Sequence, residues 1–223
     1  MGFAHRGLHF GSEIPENSLA AFEAAMELGA GIECDLRLTS DDHVVVFHDA
    51  DARRLCASPL VISQSTRKDV AGLRVAGHPV PTLETVLDLV DGRVPLLFEL
   101  KVEQDLRRWT PAVARALSHY RGRFGIMSFD PRMLRLLRTA RPEFRSGLLL
   151  QERRSFVERR MYLRIAKPDF LAVELAAVGQ PWVSRALERM PIYAWTVSTA
   201  RERAQAEVQA DALIWEGDGR PRN

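Results

Sequence analysis

Glu33-Cys34-Asp35-Leu36-Arg37-Leu38-Thr39-Ser40-Asp41-Asp42-His43-Val44-Val45-Val46-Phe47-His48-Asp49 holds two apolar runs around a polar turn, with two acids at one end and a histidine at the other. Strand side chains alternate between faces, so Glu33 and Asp35 share one face and Cys34 takes the other as a small core residue. Asp41-Asp42 is turn chemistry between β-branched and aromatic runs, and an antiparallel return centred near Asp41 lays His48 opposite Cys34. The ends of the stretch therefore meet. Two carboxylates that can hold a hard divalent cation lie beside an imidazole that can move a proton near neutral pH. Taken alone, the same residues would also serve as a surface hairpin with an acidic edge.

Working outward, Gly2-Phe3-Ala4-His5 reads as a short strand ending at Arg6-Gly7. Asn17 or Ser18 can cap a helix in which Leu19, Phe22, Ala25 and Met26 recur at helical spacing, and Gly29 stops it. With the strand Ile32 to Leu38 this makes a right-handed βαβ unit and a parallel pair. From Asp49 to Pro81 the pattern dissolves into a loop-rich insertion with one short helix near Thr66 to Ala71. Thr82 then caps Leu83 to Val90, and a strand runs from Pro95 to Lys101. Regular alternation follows. Helices are expected near Gln104 to Tyr120, from Asp130-Pro131 to Thr139, near Phe156 to Ala166, from Pro181 to Met190 and from Thr199 to Val208. The strands between and after them are Gly125 to Phe129, Gly147 to Leu150, Leu171 to Leu175, Ile192 to Val197 and Ala212 to Trp215.

Leaving out the hairpin's return arm, eight parallel strands lie near Phe3, Asp35, Phe98, Ile126, Leu148, Val173, Ala194 and Ile214. Eight βα repeats in this length favour an α/β fold of the (β/α)8 TIM-barrel type over an open doubly wound sheet. The barrel is somewhat reduced, with a β-hairpin after strand 2 and the insertion over 50–80, and residues 1–223 read as one domain. The sequence stops just past the eighth strand, so a missing or vestigial last helix is expected.

Composition excludes several classes. Hydrophobic content of 46% and charged content of 27% fit a globular protein rather than a disordered one. Thirty-one basic against 29 acidic residues give a net charge of +2, too balanced for a nucleic-acid partner. Cys34 and Cys56 form no zinc spacing or disulfide framework, which fits a reducing compartment. No apolar run is long enough to span a bilayer and no leader pattern opens the chain, so a cytoplasmic location is expected, with peripheral membrane contact left open and the oligomeric state unassigned.

In such a barrel the site lies at the carboxyl ends of the strands. His5 ends the first strand, Glu33 and Asp35 lie on the second with His48 returning beside them, and Glu99 and Lys101, two apart, end the third. Unpaired acids pointing into a barrel cost several kcal/mol unless a metal or hydrogen bonds compensate them. Glu33, Asp35 and Glu99 can supply the protein ligands of Mg²⁺ or Ca²⁺. Lys101, one of only three lysines, reads as a point charge for an anionic ligand.

His5-Arg6-Gly7, Pro15-Glu16-Asn17-Ser18, Glu33-x-Asp35, His48-Asp49, Pro81-Thr82-Leu83, Glu99-Leu100-Lys101, Ser128-Phe129-Asp130 and Ala194-Trp195-Thr196-Val197 stand in the order and approximate spacing of another group of sequences. On these motifs the chain resembles the glycerophosphodiester phosphodiesterase family over nearly its whole length. The resemblance implies a metal-dependent barrel enzyme that cleaves glycerophosphodiesters, as small-molecule substrates, to glycerol 3-phosphate and an alcohol. It implies His5 and His48 as general acid and base, Glu33, Asp35 and Glu99 as metal ligands, and Arg6 and Lys101 as phosphate clamps. Trp195 would be a wall for the glycerol or alcohol moiety, or barrel core. The neighbouring glycerol hydroxyl as nucleophile, giving a cyclic phosphate first, is open.

The chain departs from the pattern at Ala52-Arg53-Arg54-Leu55-Cys56, at Ser198 and at Trp215-Glu216-Gly217, which bears on substrate choice, and the insertion that roofs the site in the family looks short. A phospholipase D-like lyase or hydrolase acting on lysophospholipid or choline headgroups is an alternative, as is a barrel that binds a phosphorylated ligand without turnover. His9, His43, His78 and His119 read as surface or loop residues, with His9 the nearest to the site. Glu16 reads as a helix start, and Glu152 and Glu174 stay unassigned. Arg153, Arg154, Arg159, Arg160 and Arg164 form a basic helical face, solvated or in contact with anionic lipid.

Overall fold

The computed structural model describes residues 2–103 and 105–222. In chain order the elements begin β1 (Gly2–Ala4), α1 (Leu19–Glu27), β2 (Gly31–Leu38), β3 (Val44–Val46), α2 (Arg53–Cys56), α3 (Arg67–Ala71), β4 (Arg74–Val75) and β5 (His78–Pro79). They continue α4 (Leu83–Val90), β6 (Leu96–Leu100), α5 (Leu106–Ala116), β7 (Phe124–Ser128), α6 (Pro131–Ala140), β8 (Ser146–Leu150) and α7 (Phe156–Ala166). The last are β9 (Phe170–Glu174), α8 (Pro181–Leu187), β10 (Ile192–Val197), α9 (Ala200–Ala206) and β11 (Ala212–Trp215). Strands β1, β2, β6, β7, β8, β9, β10 and β11 pair in parallel in that order, and β11 pairs with β1, so the sheet closes into a TIM barrel ringed by helices. Beyond β11 the described residues form a 3-10 turn at Gly217–Gly219.

Alternation along the strands sorts two cores. Outward residues such as Ile32, Cys34, Leu36, Phe98, Ile126 and Leu171 pack beneath the helices. Inward residues Phe3, Leu97, Met127, Leu149, Phe170, Ala172, Ala212 and Ile214 fill the barrel. Gly147 is required in this layer, because a Cβ there would lie 2.1 Å from the Phe170 ring. The barrel floor is thus largely aromatic and aliphatic, with Tyr193 stacked on Phe3 and Phe170, and the acids stand toward the carboxyl ends.

The sequence pattern places most helix starts because their caps are local. Thr82 accepts from Thr85 N–H, and Ser155 and Thr199 each close a capping box, with Glu158 and Glu202. Such caps contribute about 1 kcal/mol each. Ser18, not Asn17, caps α1, accepting from Ala21 N–H. Helix α5 opens on Asp105 as cap; the expected start near Gln104 lies outside the described residues.

The hairpin keeps the expected register. Leu36 pairs with Val46, Arg37 with Val45 and Leu38 with Val44, and Phe47 N–H donates to the Asp35 carbonyl at 2.9 Å, so Cys34 falls opposite His48. The turn closes through Thr39 N–H to the His43 carbonyl, with Asp42 at φ 61°. Arg108 of α5 ties it down, donating to Asp42 Oδ1 at 2.7 Å and to the Thr39 and Ser40 carbonyls at 2.9 Å.

The insertion holds more order than a loop-rich reading expects. Ala52, Ile62, Val70, Leu73, Val75 and Val80 pack with Val45 and Phe47 of the hairpin as a third apolar cluster. Its elements, α2, α3, β4 and β5, run only two to five residues, too short to show a period, and Val45 and Phe47 of the hairpin complete the cluster they form.

Candidate active site

Parity and register bring the acids together. Asp35 on β2 is directly paired with Glu99 on β6, and Glu33 shares its face two residues earlier. One oxygen from each of Glu33, Asp35 and Glu99 lies within 4.8 Å of the others, and all three residues are buried. Lys101 Nζ stands 3.0 Å from Asp35 Oδ1 and 2.7 Å from Glu99 Oε1. Arg6 Nε stands 3.2 Å from Asp35 Oδ2. Burial alone would raise Asp35, but Lys101 and Arg6 outweigh it and hold its carboxyl well below the usual range. Burial, together with the charge on Asp35, pushes Glu33 up, and burial also raises Glu99 against the pull of Lys101. Raised carboxylates in a closed pocket mean that positive charge is in short supply. A hard divalent cation fits this all-oxygen set and would relieve the shortage, with Glu33, Asp35 and Glu99 as its holders.

Two backbone devices aim the acids. Arg6 adopts φ 55°, which turns its N–H onto Glu33 Oε2 at 3.1 Å. Gly7 follows at φ 79°, where a Cβ would meet Ala21 at 2.8 Å. Asn17, at φ 56° and buried, donates from Nδ2 to Asp35 Oδ2 at 2.8 Å and accepts from Asp35 N–H at 3.2 Å. Its part is to lock Asp35 rather than to cap α1.

The histidines stand beside the acids in different electrostatic settings. His5 Nδ1 is 2.5 Å from Glu216 Oε1, and its Nε2 is 3.9 Å from Glu33 Oε2. Burial would lower His5, but the Glu216 hydrogen bond and the charge on Glu33 outweigh it and raise it. His48 Nδ1 is 2.7 Å from Asp49 Oδ1. Burial lowers His48, and Lys101 adds to that against the charge on Asp35. Arg37 also fixes His48 from below, donating to its carbonyl from Nε at 2.8 Å and again from Nη2.

Glu216, treated above only as a departure from a motif, thus stands in the site. The period that places Glu33 and Asp35 would have found it: Ala212 and Ile214 point into the barrel, and Glu216 continues their face. His9 Nε2 lies 3.6 Å from the same Glu216 oxygen. Glu16 and Arg54 were also missed. Arg54 donates from Nε and Nη2 to Asp49 at 2.6 and 3.0 Å and from Nη1 and Nη2 to Glu16 at 2.9 and 2.8 Å. Glu16 in turn accepts from Arg6 Nη1 at 2.8 Å. One insertion arginine therefore links the Arg6 side of the mouth to the His48 side.

The rim beyond Lys101 is a cleft of about 500 Å3 lined in part by Arg37, Glu99, Ser128, Phe129 and Tyr162. Trp195 meets Phe129 edge to face at 5.6 Å, and its indole N–H has no partner among the described residues. The Glu152 N–H donates to Glu174 Oε2 at 2.9 Å. His43 and His78 are half-buried on the hairpin turn and the insertion, and His119 is exposed.

A sequence profile of the glycerophosphoryl diester phosphodiesterase family matches residues 5–216. A glycerophosphodiester phosphodiesterase of Caldanaerobacter subterraneus subsp. tengcongensis is 33% identical over 162 residues, 66% of this chain and 65% of that one. One of Bacillus altitudinis is 28% identical over 165 residues, 67% of this chain and 66% of that one. The matches thus span just under two thirds of these curated relatives. Among solved structures, an Oleispira antarctica phosphodiesterase in complex with the product sn-glycerol-3-phosphate superposes with a TM-score of 0.85 at 22% identity, covering 96% of this chain and 92% of that one. A glycerophosphodiester phosphodiesterase of Thermotoga maritima superposes at 0.81 and 26% identity, covering 98% and 94%. No helix among the described residues is long and apolar enough to cross a membrane. Matched from its first histidine to the end of its last strand and built on the same barrel, this chain belongs to the glycerophosphoryl diester phosphodiesterase family.

Proposed function

We propose that this protein is a divalent-metal-dependent phosphodiesterase that cleaves glycerophosphodiesters to glycerol 3-phosphate and an alcohol. The observation that carries the proposal is the meeting of three buried carboxylates with two imidazoles of opposite tendency, one raised and one lowered. Environments that push paired groups apart assign acid and base. His48, lowered and with Nδ1 engaged by Asp49, presents Nε2 as the base that takes the proton of the attacking hydroxyl. His5, raised and steadied by Glu216, keeps its proton and delivers it to the leaving alkoxide.

Glu33, Asp35 and Glu99 would hold the cation, which would supply Lewis-acid stabilisation of the charge that develops on the phosphate. Lys101, in ion-pair contact with Asp35 and Glu99, also has its ammonium charge for the phosphate. Arg6, held by Glu16 and Asp35, presents the free edge of its guanidinium. Trp195, with its unpartnered N–H, walls the glycerol or alcohol moiety. The family match supports this substrate class, as does the product bound to the Oleispira antarctica neighbour. No specific observation favours the headgroup lyase or the non-catalytic barrel.

The test is release of glycerol 3-phosphate from glycerophosphocholine and glycerophosphoethanolamine by the purified protein with Mg²⁺ or Ca²⁺. His5→Ala and His48→Ala should each lower kcat roughly 10²- to 10⁴-fold with melting nearly unchanged. A folded wild-type protein that turns over no diester would overturn the reading, and a histidine variant of near-full rate would overturn that residue's role.

A further inference from the structure

The barrel mouth and the face of α7 leave apolar side chains in water for which the chemistry above has no use. Five large hydrophobic residues are exposed among those described: Phe10 (75%), Phe156 (67%), Val157 (73%), Met161 (49%) and Val208 (77%). Val208 lies at the far, amino-terminal end, in the turn before β11. The other four belong to the loop after β1 or to α7. Phe156 opens α7 just beyond the carboxyl end of β8, and β8 is the fifth strand of the ring from β1. Phe10 and Phe156 therefore flank the mouth from opposite sides.

The helix continues the same surface with charge. At about 100° per residue, Phe156, Arg160, Arg164, Val157 and Met161 fall within an arc of about 140°. Arg160 and Arg164 are exposed and lie within ion-pair distance of no carboxylate among the described residues. Arg153 is exposed just before the helix. The neighbouring arginines are occupied otherwise: Arg154 lies over Tyr162 and pairs with Glu158, and Arg159 lies over the Trp182 ring. An apolar tip with unpaired arginines behind it is complementary to one surface in particular, an anionic bilayer, where aromatic groups enter the interface and guanidinium groups meet lipid phosphate.

We propose that the α7 face, with Phe10 across the mouth, docks this protein on anionic membranes with the barrel mouth toward the lipid. The proposal is independent of the chemistry assigned to the site, since none of its residues is given a part in that chemistry. Docking would bring the open site to the layer where diesters of glycerol are held or released.

The test is co-sedimentation of the intact protein with vesicles of phosphatidylcholine alone and of phosphatidylcholine mixed with phosphatidylglycerol. Binding is expected to the mixed vesicles only and to weaken in high salt. Arg160→Gln with Arg164→Gln should weaken it roughly 25-fold, about fivefold per arginine, and Phe156→Ser roughly tenfold or more. Both variants should hydrolyse a soluble glycerophosphodiester at the wild-type rate in the absence of vesicles. Failure to bind mixed vesicles, or binding that the variants leave intact, would overturn the proposal. So would sedimentation velocity showing a dimer that Phe156→Ser dissociates, since a second copy would then cover the face.

Discussion

Lys101→Met removes the ammonium that stands 3.0 Å from Asp35 and 2.7 Å from Glu99 while keeping the length of the side chain. Its side chain is 16% exposed, so the two carboxylates lose a partner in a largely desolvated setting. Removing one member of a buried ion pair costs about 3 kcal/mol at the lower end of the observed range. For a chain of 223 residues that lowers the melting temperature by about 6 °C. The sign with pH follows from the two raised carboxyls. Glu33 and Glu99 have folded pKa values above their ordinary 4.5, so the stability linked to them is present below that value and is lost as pH rises through the folded values. The metal-free variant should therefore lose most at mildly alkaline pH and recover part of the loss at mildly acidic pH, where Glu33 and Glu99 take up protons. A divalent cation at about 100 times its dissociation constant should return roughly 2.7 kcal/mol. Differential scanning calorimetry in chelator and in Mg²⁺, at both pH values, reads all three effects. A variant that melts with wild type in chelator at alkaline pH, or that loses more in acid than in alkali, would refute the claim that this pocket is short of positive charge.

Two further outcomes follow from the groups behind the histidines. Glu216 raises His5, so Glu216→Gln should lower the pKa of His5 and move the alkaline limb of the pH–rate profile to lower pH, with kcat reduced roughly tenfold or more; an unmoved limb would dissociate Glu216 from the acid. Arg54→Gln breaks the link between Asp49 and Glu16, and should lower kcat up to about 100-fold through misaimed His48 and Arg6. Calorimetric Mg²⁺ affinity should stay within about twofold, because Arg54 touches none of the three acids; a matching loss of metal binding would instead mark Arg54 as support for the cluster.

The parts of the site legible in the sequence were those governed by local counting. Two-residue spacing put Glu33 with Asp35 and Glu99 with Lys101, and a turn at Asp41-Asp42 of fixed length returned His48 to its place. The eight strands were legible for the same reason, and the helix starts at Thr82 and Thr199 rest on caps three residues long. Arg54 was not legible, because its partner Glu16 lies 38 residues away and no period connects them. Asn17 looked like a cap because its neighbour Ser18 is one, whereas a left-handed backbone turns its amide onto Asp35. Glu216 obeyed the counting rule, but β11 ends at Trp215 and the count was stopped with it.

The central claim is that Glu33, Asp35 and Glu99 hold the cation on which diester cleavage depends. Glycerol 3-phosphate release from glycerophosphocholine, measured in chelator and across a Mg²⁺ or Ca²⁺ titration for wild type and Glu99→Gln, tests it most directly. Wild-type turnover should vanish in chelator and return saturably with metal, while Glu99→Gln should need far more metal or fail to respond. Turnover undiminished by chelator, or a Glu99→Gln variant with the wild-type metal response, would contradict it.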